Sequence, residues 1–165
     1  MNVIEYDKDF YILDSGKVRA FLIVGESRAI LIDTCFKEDR IIEIVKKITN
    51  KPIEVILTHG DKDHIGGVYH FKKCRIHIKD SHFIQCPVVL SYLRTRDQIN
   101  VGSYCFEVID MPGHTYGSIM LLDRNKKLLL SGDSIQKGPI YMFGKHRNLD
   151  LYIESLKNIK YIKDI

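Results

Sequence analysis

No two of the four cysteines, Cys35, Cys74, Cys86 and Cys105, form a C-x-x-C pair, so neither a zinc ribbon nor a dithiol redox motif is present. Isolated thiols of this kind are ordinary small core residues in a reducing compartment. No run of like charge reaches five or six residues, and 25 Lys+Arg against 21 Asp+Glu leave only +4 spread along the chain. A dedicated nucleic-acid surface is therefore not expected. The longest apolar stretches, such as Phe21–Val24 and Leu128–Leu130, are far too short to span a bilayer. Met1–Phe10 carries acidic residues and no apolar h-region, which predicts no secretory leader. These absences lead to the expectation of a cytoplasmic protein with no nucleic-acid or membrane partner. With 45% hydrophobic and 28% charged residues, the 165-residue chain has the composition of a packed globular domain, taken as one unit over 1–165.

The first third reads as short strands. Val3–Tyr6, Phe10–Leu13, Val18–Val24 and Ala29–Ile32 are rich in β-branched and aromatic residues and are separated by turns at Asp7-Lys8-Asp9, Asp14-Ser15-Gly16 and Gly25-Glu26-Ser27. Ile41, Ile44, Val45 and Ile48 then follow helical spacing, and Asn50-Lys51-Pro52 ends the helix. Val55–Leu57 and Arg75–Ile78 are further strands, Asp80–Gln85 a helical turn, and residues 86–98 read as a mobile or inserted segment. Tyr104–Ile109, Ser118–Leu122 and Lys127–Leu130 are strands. Leu149, Tyr152, Ile153 and Leu156 form a second amphipathic helix with Asn148 as N-cap, and Tyr161–Ile165 opens one more strand. Strands followed by strand–helix alternation, twice over, indicate a layered α/β domain.

Among seven histidines, three stand in polar turns just past apolar strands. The sharpest signal is His59-Gly60-Asp61-Lys62-Asp63-His64-Ile65-Gly66-Gly67, which places four metal-ligating side chains within six residues. Imidazole nitrogens with carboxylate oxygens suit zinc, iron or manganese, and the absence of thiolate argues against a structural zinc site. A solvated turn explains Asp61 and Asp63 but not the flanking histidines. Pro112-Gly113-His114-Thr115 and Ser131-Gly132-Asp133 would each be weak evidence alone. Three strand-end clusters able to meet at one sheet edge make a metal site the better account.

In order and spacing, Leu31-Ile32-Asp33-Thr34, Leu57-Thr58-His59 through Gly67, Pro112-Gly113-His114-Thr115 and Ser131-Gly132-Asp133 resemble the metallo-β-lactamase superfamily, and more narrowly its glyoxalase-II-like branch. The resemblance implies an αββα sandwich with a metal site at one edge and a small-molecule substrate. Carried over, His59 and His114 bind a first metal, Asp63 and His64 a second, and Asp133 bridges them, with Asp63 also accepting a proton as the catalytic carboxylate. It further implies one or two divalent ions, zinc first and manganese or iron after it, and a metal-bound hydroxide that attacks an ester, thioester, lactone, amide or phosphodiester.

Two departures from the family pattern stand out. Asp61 occupies the place of the second histidine in His-x-His-x-Asp-His. As an anionic first-site ligand it would leave the site one formal charge less positive and tilt it toward harder ions. The final histidine, which the family places beyond one more strand, is absent, which predicts a sandwich truncated at its C-terminus. Its exposed apolar residues would then favour a homo-oligomer. His146 is read as a solvated loop residue, His70, His77 and His82 as surface or core groups, Tyr116 as a packing residue, and Asp33 as a support for the ligand loops. Lys137, Lys145 and Arg147 either meet an acidic substrate group or form a solvated basic loop. Two rivals to the hydrolase remain: a mononuclear iron oxidoreductase built on His59, His114 and Asp133, and a binding module with a decayed site.

Overall fold

The computed structural model describes residues 1–160 and forms two stacked sheets with a helix on each outer face. The first sheet begins as an antiparallel meander of β1 (Asn2–Asp7), β2 (Phe10–Asp14), β3 (Arg19–Val24) and β4 (Ala29–Ile32). It continues in parallel through β5 (Ile53–Ile56), β6 (Lys73–His77) and β7 (Val89–Leu93). The helix α1 (Ile41–Ile48) makes the crossover from β4 to β5, as a parallel connection requires. The second sheet is antiparallel in the order β11 (Leu128–Leu130), β10 (Ile119–Asp123), β9 (Tyr104–Asp110) and β8 (Gln98–Val101). α3 (Leu149–Ile159) closes the described chain, and the Asn148 side chain accepts from the Leu151 N–H as its N-cap.

Period-two alternation sorts side chains between layers. Ile23, Ile30, Ile32 and Ile56 point inward to meet Phe106, Val108, Ile119 and Leu121 of the second sheet. Leu22, Leu31 and Val55 point outward, under Ile41 and Val45 of α1. Met111 and Met120 turn to the other outer face, where Tyr152 of α3 covers them. All four residues of β4 are buried because both of its faces are covered. This is the αββα sandwich expected from the sequence.

The segment 86–98, expected to be mobile or inserted, is part of the sandwich itself. It supplies β7, paired in parallel with β6, and leads directly into β8. β7 is an edge strand in which only Leu93 is fully buried, so it carries little hydrophobic alternation and is held by backbone pairing. In β8, Ile99 and Val101 are buried between exposed Gln98 and Asn100, a period-two signal too short to stand out. Asp80–Gln85 lies within a 3₁₀ turn spanning Ile78–Phe83 and the two residues after it. The strand expected at Tyr161–Ile165 falls outside the described residues.

Candidate metal centre

The strand ends deliver the site. β5 runs through Leu57 and Thr58 into His59; α2 (Lys62–Ile65) then carries Asp63 and His64, with Asp61 at its N-cap position. Two glycines let this loop close against the chain that follows β4. A Cβ on Gly66 would lie 2.4 Å from the Lys37 nitrogen and 2.6 Å from the Cys35 oxygen; one on Gly67 would lie 2.8 Å from the Thr34 oxygen. The Gly66 N–H donates to the Cys35 carbonyl (2.9 Å), and the Thr34 N–H and hydroxyl both donate to the His64 carbonyl. His114 follows β9, and Asp133 sits in the short turn after β11.

All six predicted site residues come together in one cleft. His59, Asp61, His114 and Asp133 form one group, and Asp63, His64 and Asp133 a second; within each, the candidate ligand atoms lie within 4.8 Å of one another. Each imidazole is committed on its Nδ1 side. His64 Nδ1 is 2.8 Å from an Asp33 oxygen and donates to it. His114 Nδ1 donates to the Tyr141 carbonyl at 3.1 Å. His59 Nδ1 lies 3.0 Å from the Thr58 hydroxyl, whose own proton goes to Asp33, so the imidazole must be the donor. The three Nε2 lone pairs therefore all face the cleft, the orientation seen when an outer hydrogen bond fixes a ligating tautomer.

What they face is anionic. His114 Nε2 is 3.1 Å from Asp61 and 3.6 Å from Asp133; His64 Nε2 is 3.2 Å from Asp133 and 3.8 Å from Asp63; His59 Nε2 is 3.5 Å from Asp61. Lone pairs opposite carboxylates require positive charge between them. The buried Nε2 atoms of His59 and His64 have no hydrogen-bond partner. Without a cation, protons must serve. Burial opposes charge on His64, but Asp33 and Asp133 outweigh it and raise its pKa well above the ordinary value. Burial, and then the neighbouring His64, lower that of His59. Burial alone would raise the carboxyls. The His114 and His59 rings and the Arg147 guanidinium that face it instead hold Asp61 far below the usual range, and His64 draws Asp133 down to about 2. The donor set and its unmet charge fit a divalent cation.

Asp33 is a support, as expected. Its carboxylate accepts from the Thr58 N–H (2.8 Å), the Thr58 hydroxyl (2.7 Å) and His64. Its backbone is left-handed (φ 60°), as is that of Cys35 two residues on (φ 54°). Asp80 went unrecognised in the sequence. Fully buried, it accepts from the Gly60 N–H (2.9 Å), the Gly117 N–H (2.8 Å) and the Thr115 hydroxyl (2.6 Å), joining the turn of His59 to that of His114. Only its place just past a strand, like that of the ligand clusters, could have marked it.

Arg147 is not a solvated loop cation. Its side chain is 14% exposed and its guanidinium donates to Asp61. Lys145 is exposed. Lys137, with Lys17 and Arg19, lines a groove of about 800 Å³ that reaches Asp63, His64 and Asp133. His146 packs on Phe83 and His82 (ring centroids 4.8 and 5.7 Å) and belongs to neither ligand group. Tyr116 is 41% exposed rather than packed.

A two-sheet sandwich with histidines and carboxylates gathered where strand ends meet defines a class of metal-site proteins, and the comparisons agree. The family model described as metallo-beta-lactamase superfamily matches residues 13–78. A hydroxyacylglutathione hydrolase of Bdellovibrio bacteriovorus is 37% identical over 84 residues, covering 49% of this chain and 34% of that protein. The acyl-coenzyme A thioesterase MBLAC2 of Gallus gallus is 27% identical over 146 residues, covering 69% of this chain and 53% of that one. The chain thus spans about a third to about half the length of these relatives. Among solved structures, the BLEG-1 B3 metallo-beta-lactamase superposes with a TM-score of 0.71 at 21% identity, over 90% of this chain and 84% of that one. Over residues 13–78 the chain is similar to the metallo-β-lactamase superfamily, and its fold is that of solved metallo-beta-lactamases.

Proposed function

We propose that this protein is a metal-dependent hydrolase of small-molecule thioesters, with His59, Asp61, His114 and Asp133 holding one divalent ion and Asp63, His64 and Asp133 able to hold a second. The observation that carries the reading is the set of three Nε2 lone pairs turned onto carboxylates in one cleft, two of them buried and without partners. Thioesters are favoured over other acyl substrates because the curated relatives above are named for hydrolysing them. A divalent ion bound there, zinc by preference, supplies Lewis acidity and brings the ionisation of bound water toward neutral pH.

The chain's own residues do the rest. Nδ1 contacts to Asp33, Thr58 and Tyr141 keep the imidazoles in the ligating tautomer, so no reorganisation is needed when substrate arrives. Asp63, which lines the groove beside His64 and Asp133, would serve as the carboxylate that accepts a proton from water or substrate. Lys17, Arg19 and Lys137 along the groove favour a thioester whose carrier portion is anionic.

The test is to strip the protein of metal, reload it with zinc, manganese or iron, and assay thioesters beside lactones and phosphodiesters. Thioester turnover restored by metal supports the reading. Turnover of none of the panel by a fully loaded protein would leave a binding module, and oxygen consumption with a single iron would favour an oxidoreductase on His59, His114 and Asp133.

A further inference from the structure

Asp61 replaces a neutral ligand of the family pattern with an anion, and the fold answers with a cation drawn from 86 residues away. We propose that Arg147 is a positioning residue which cancels the charge of Asp61, so that the pair presents to a divalent ion the charge of one neutral ligand. This rests on the metal-centre reading above.

Three observations carry it. First, Nη2 of Arg147 donates to Oδ2 of Asp61, the same oxygen that lies 3.1 Å from His114 Nε2 and 3.5 Å from His59 Nε2. Second, the arginine is largely buried with its own hydrogen bonding incomplete. Its Nε has no partner, and among the described residues Asp61 is the one carboxylate it pairs with. A guanidinium stays charged at every working pH, so the compensation is permanent. Third, its placement is tied to the site rather than to a free loop. The next residue, Asn148, donates its N–H to the Gly113 carbonyl (2.9 Å) and caps α3, while Gly113 is pressed against Tyr152, where a Cβ would lie 2.3 Å from that of the tyrosine. Arg147 is therefore carried on backbone bonded to the turn that presents His114.

The consequence runs against simple restoration of the family residue. Asp61→His leaves a buried guanidinium unpaired beside the ion, so it should weaken divalent binding, whereas Arg147→Gln leaves an uncompensated carboxylate and should tighten it. We expect each change to be about tenfold or more, and Asp61→His combined with Arg147→Gln to return within about threefold of wild type. Arg147→Lys, which keeps the charge, should also stay within about threefold of wild type.

The measurement is Co2+ and Zn2+ affinity of the metal-stripped full chain by chelator competition, with the Co2+ absorption spectrum reporting the ligand set. Thermal denaturation of each metal-free variant establishes that it folds. If Arg147→Gln does not fold, Asp61→His against the double variant decides. Arg147→Gln binding no tighter than wild type, or Asp61→His binding as tightly as wild type, would falsify the assignment of Arg147 alone. Wild type that takes up neither ion at micromolar concentration overturns the metal-centre reading, and this assignment with it.

Discussion

At one end of the cleft, His59, Asp61 and His114 face one another beside Asp133, with a guanidinium behind Asp61. At the other, Asp63 and His64 share Asp133, no Lys or Arg pairs with either aspartate among the described residues, and the large groove lies alongside. Each end also has its own buried carboxylate. Asp80 ties the Gly60 and Thr115 turns together beneath the first, and Asp33 ties Thr58 to His64 beneath the second. The same residue types thus build an enclosed, charge-compensated end and an open, anionic one. Burial and four candidate ligands favour a tightly held ion at the first; access and three candidate ligands suit the second to a substrate and a more weakly held ion.

The largest effect should come from the residue both ends share. Asp133→Ala should weaken metal uptake at both ends by about a hundredfold or more and lower thioester turnover at least as far, read from metal content and initial rates. His114→Ala and His64→Ala should instead separate the ends. The first should remove the tighter ion and the second the weaker, so two losses that look alike in a metal titration would erase the distinction.

Supports come next. Gly66→Ala should cost about 3 kcal/mol or more by urea denaturation, because its Cβ meets backbone rather than a side chain that can move. Asp80→Asn should cost roughly 2–3 kcal/mol, since both Asp80 oxygens accept from donors and an amide nitrogen would oppose one of them. Asp80→Asn should weaken the tighter ion before the weaker, and Asp33→Asn should do the reverse. Equal losses at both ends would show that the two carboxylates act on the cleft as a whole.

The smallest effect is remote from the cleft's chemistry and serves as a control. Burial pushes the Cys35 and Cys74 thiols up to about 12 from 9.0. The folded state therefore binds these protons more tightly than the unfolded chain. Their contribution to stability is complete below pH 9 and is lost as pH rises from 9 toward 12. At pH 8, iodoacetamide should label Cys105, which is partly exposed, well before Cys35 or Cys74, read by mass spectrometry. Fast labelling of Cys35 would mean that the loop packed against Gly66 opens readily.

Much of this was legible in the chain because it is local. The alternation in Val18–Val24, the helical spacing of Ile41 to Ile48 and the Asn148 cap each depend on neighbours a few residues away, and the structure keeps all three apart from a one-residue shift at the start of β3. His59 to His64 could be read as a ligand cluster for the same reason. β7 escaped because an exposed edge strand is specified by its partner's backbone and not by its own side chains. Asp80 and Arg147 escaped because neither has a local signature. One collects donors 20 and 35 residues away, and the other meets its carboxylate across 86. The residue types and turn spacings by themselves determined that histidines and carboxylates would stand at strand ends. Only the tertiary structure decided how much charge the site carries, because electrostatic energy depends on distance through the folded interior, and a loop that looks solvated in sequence can bring a buried cation to a carboxylate.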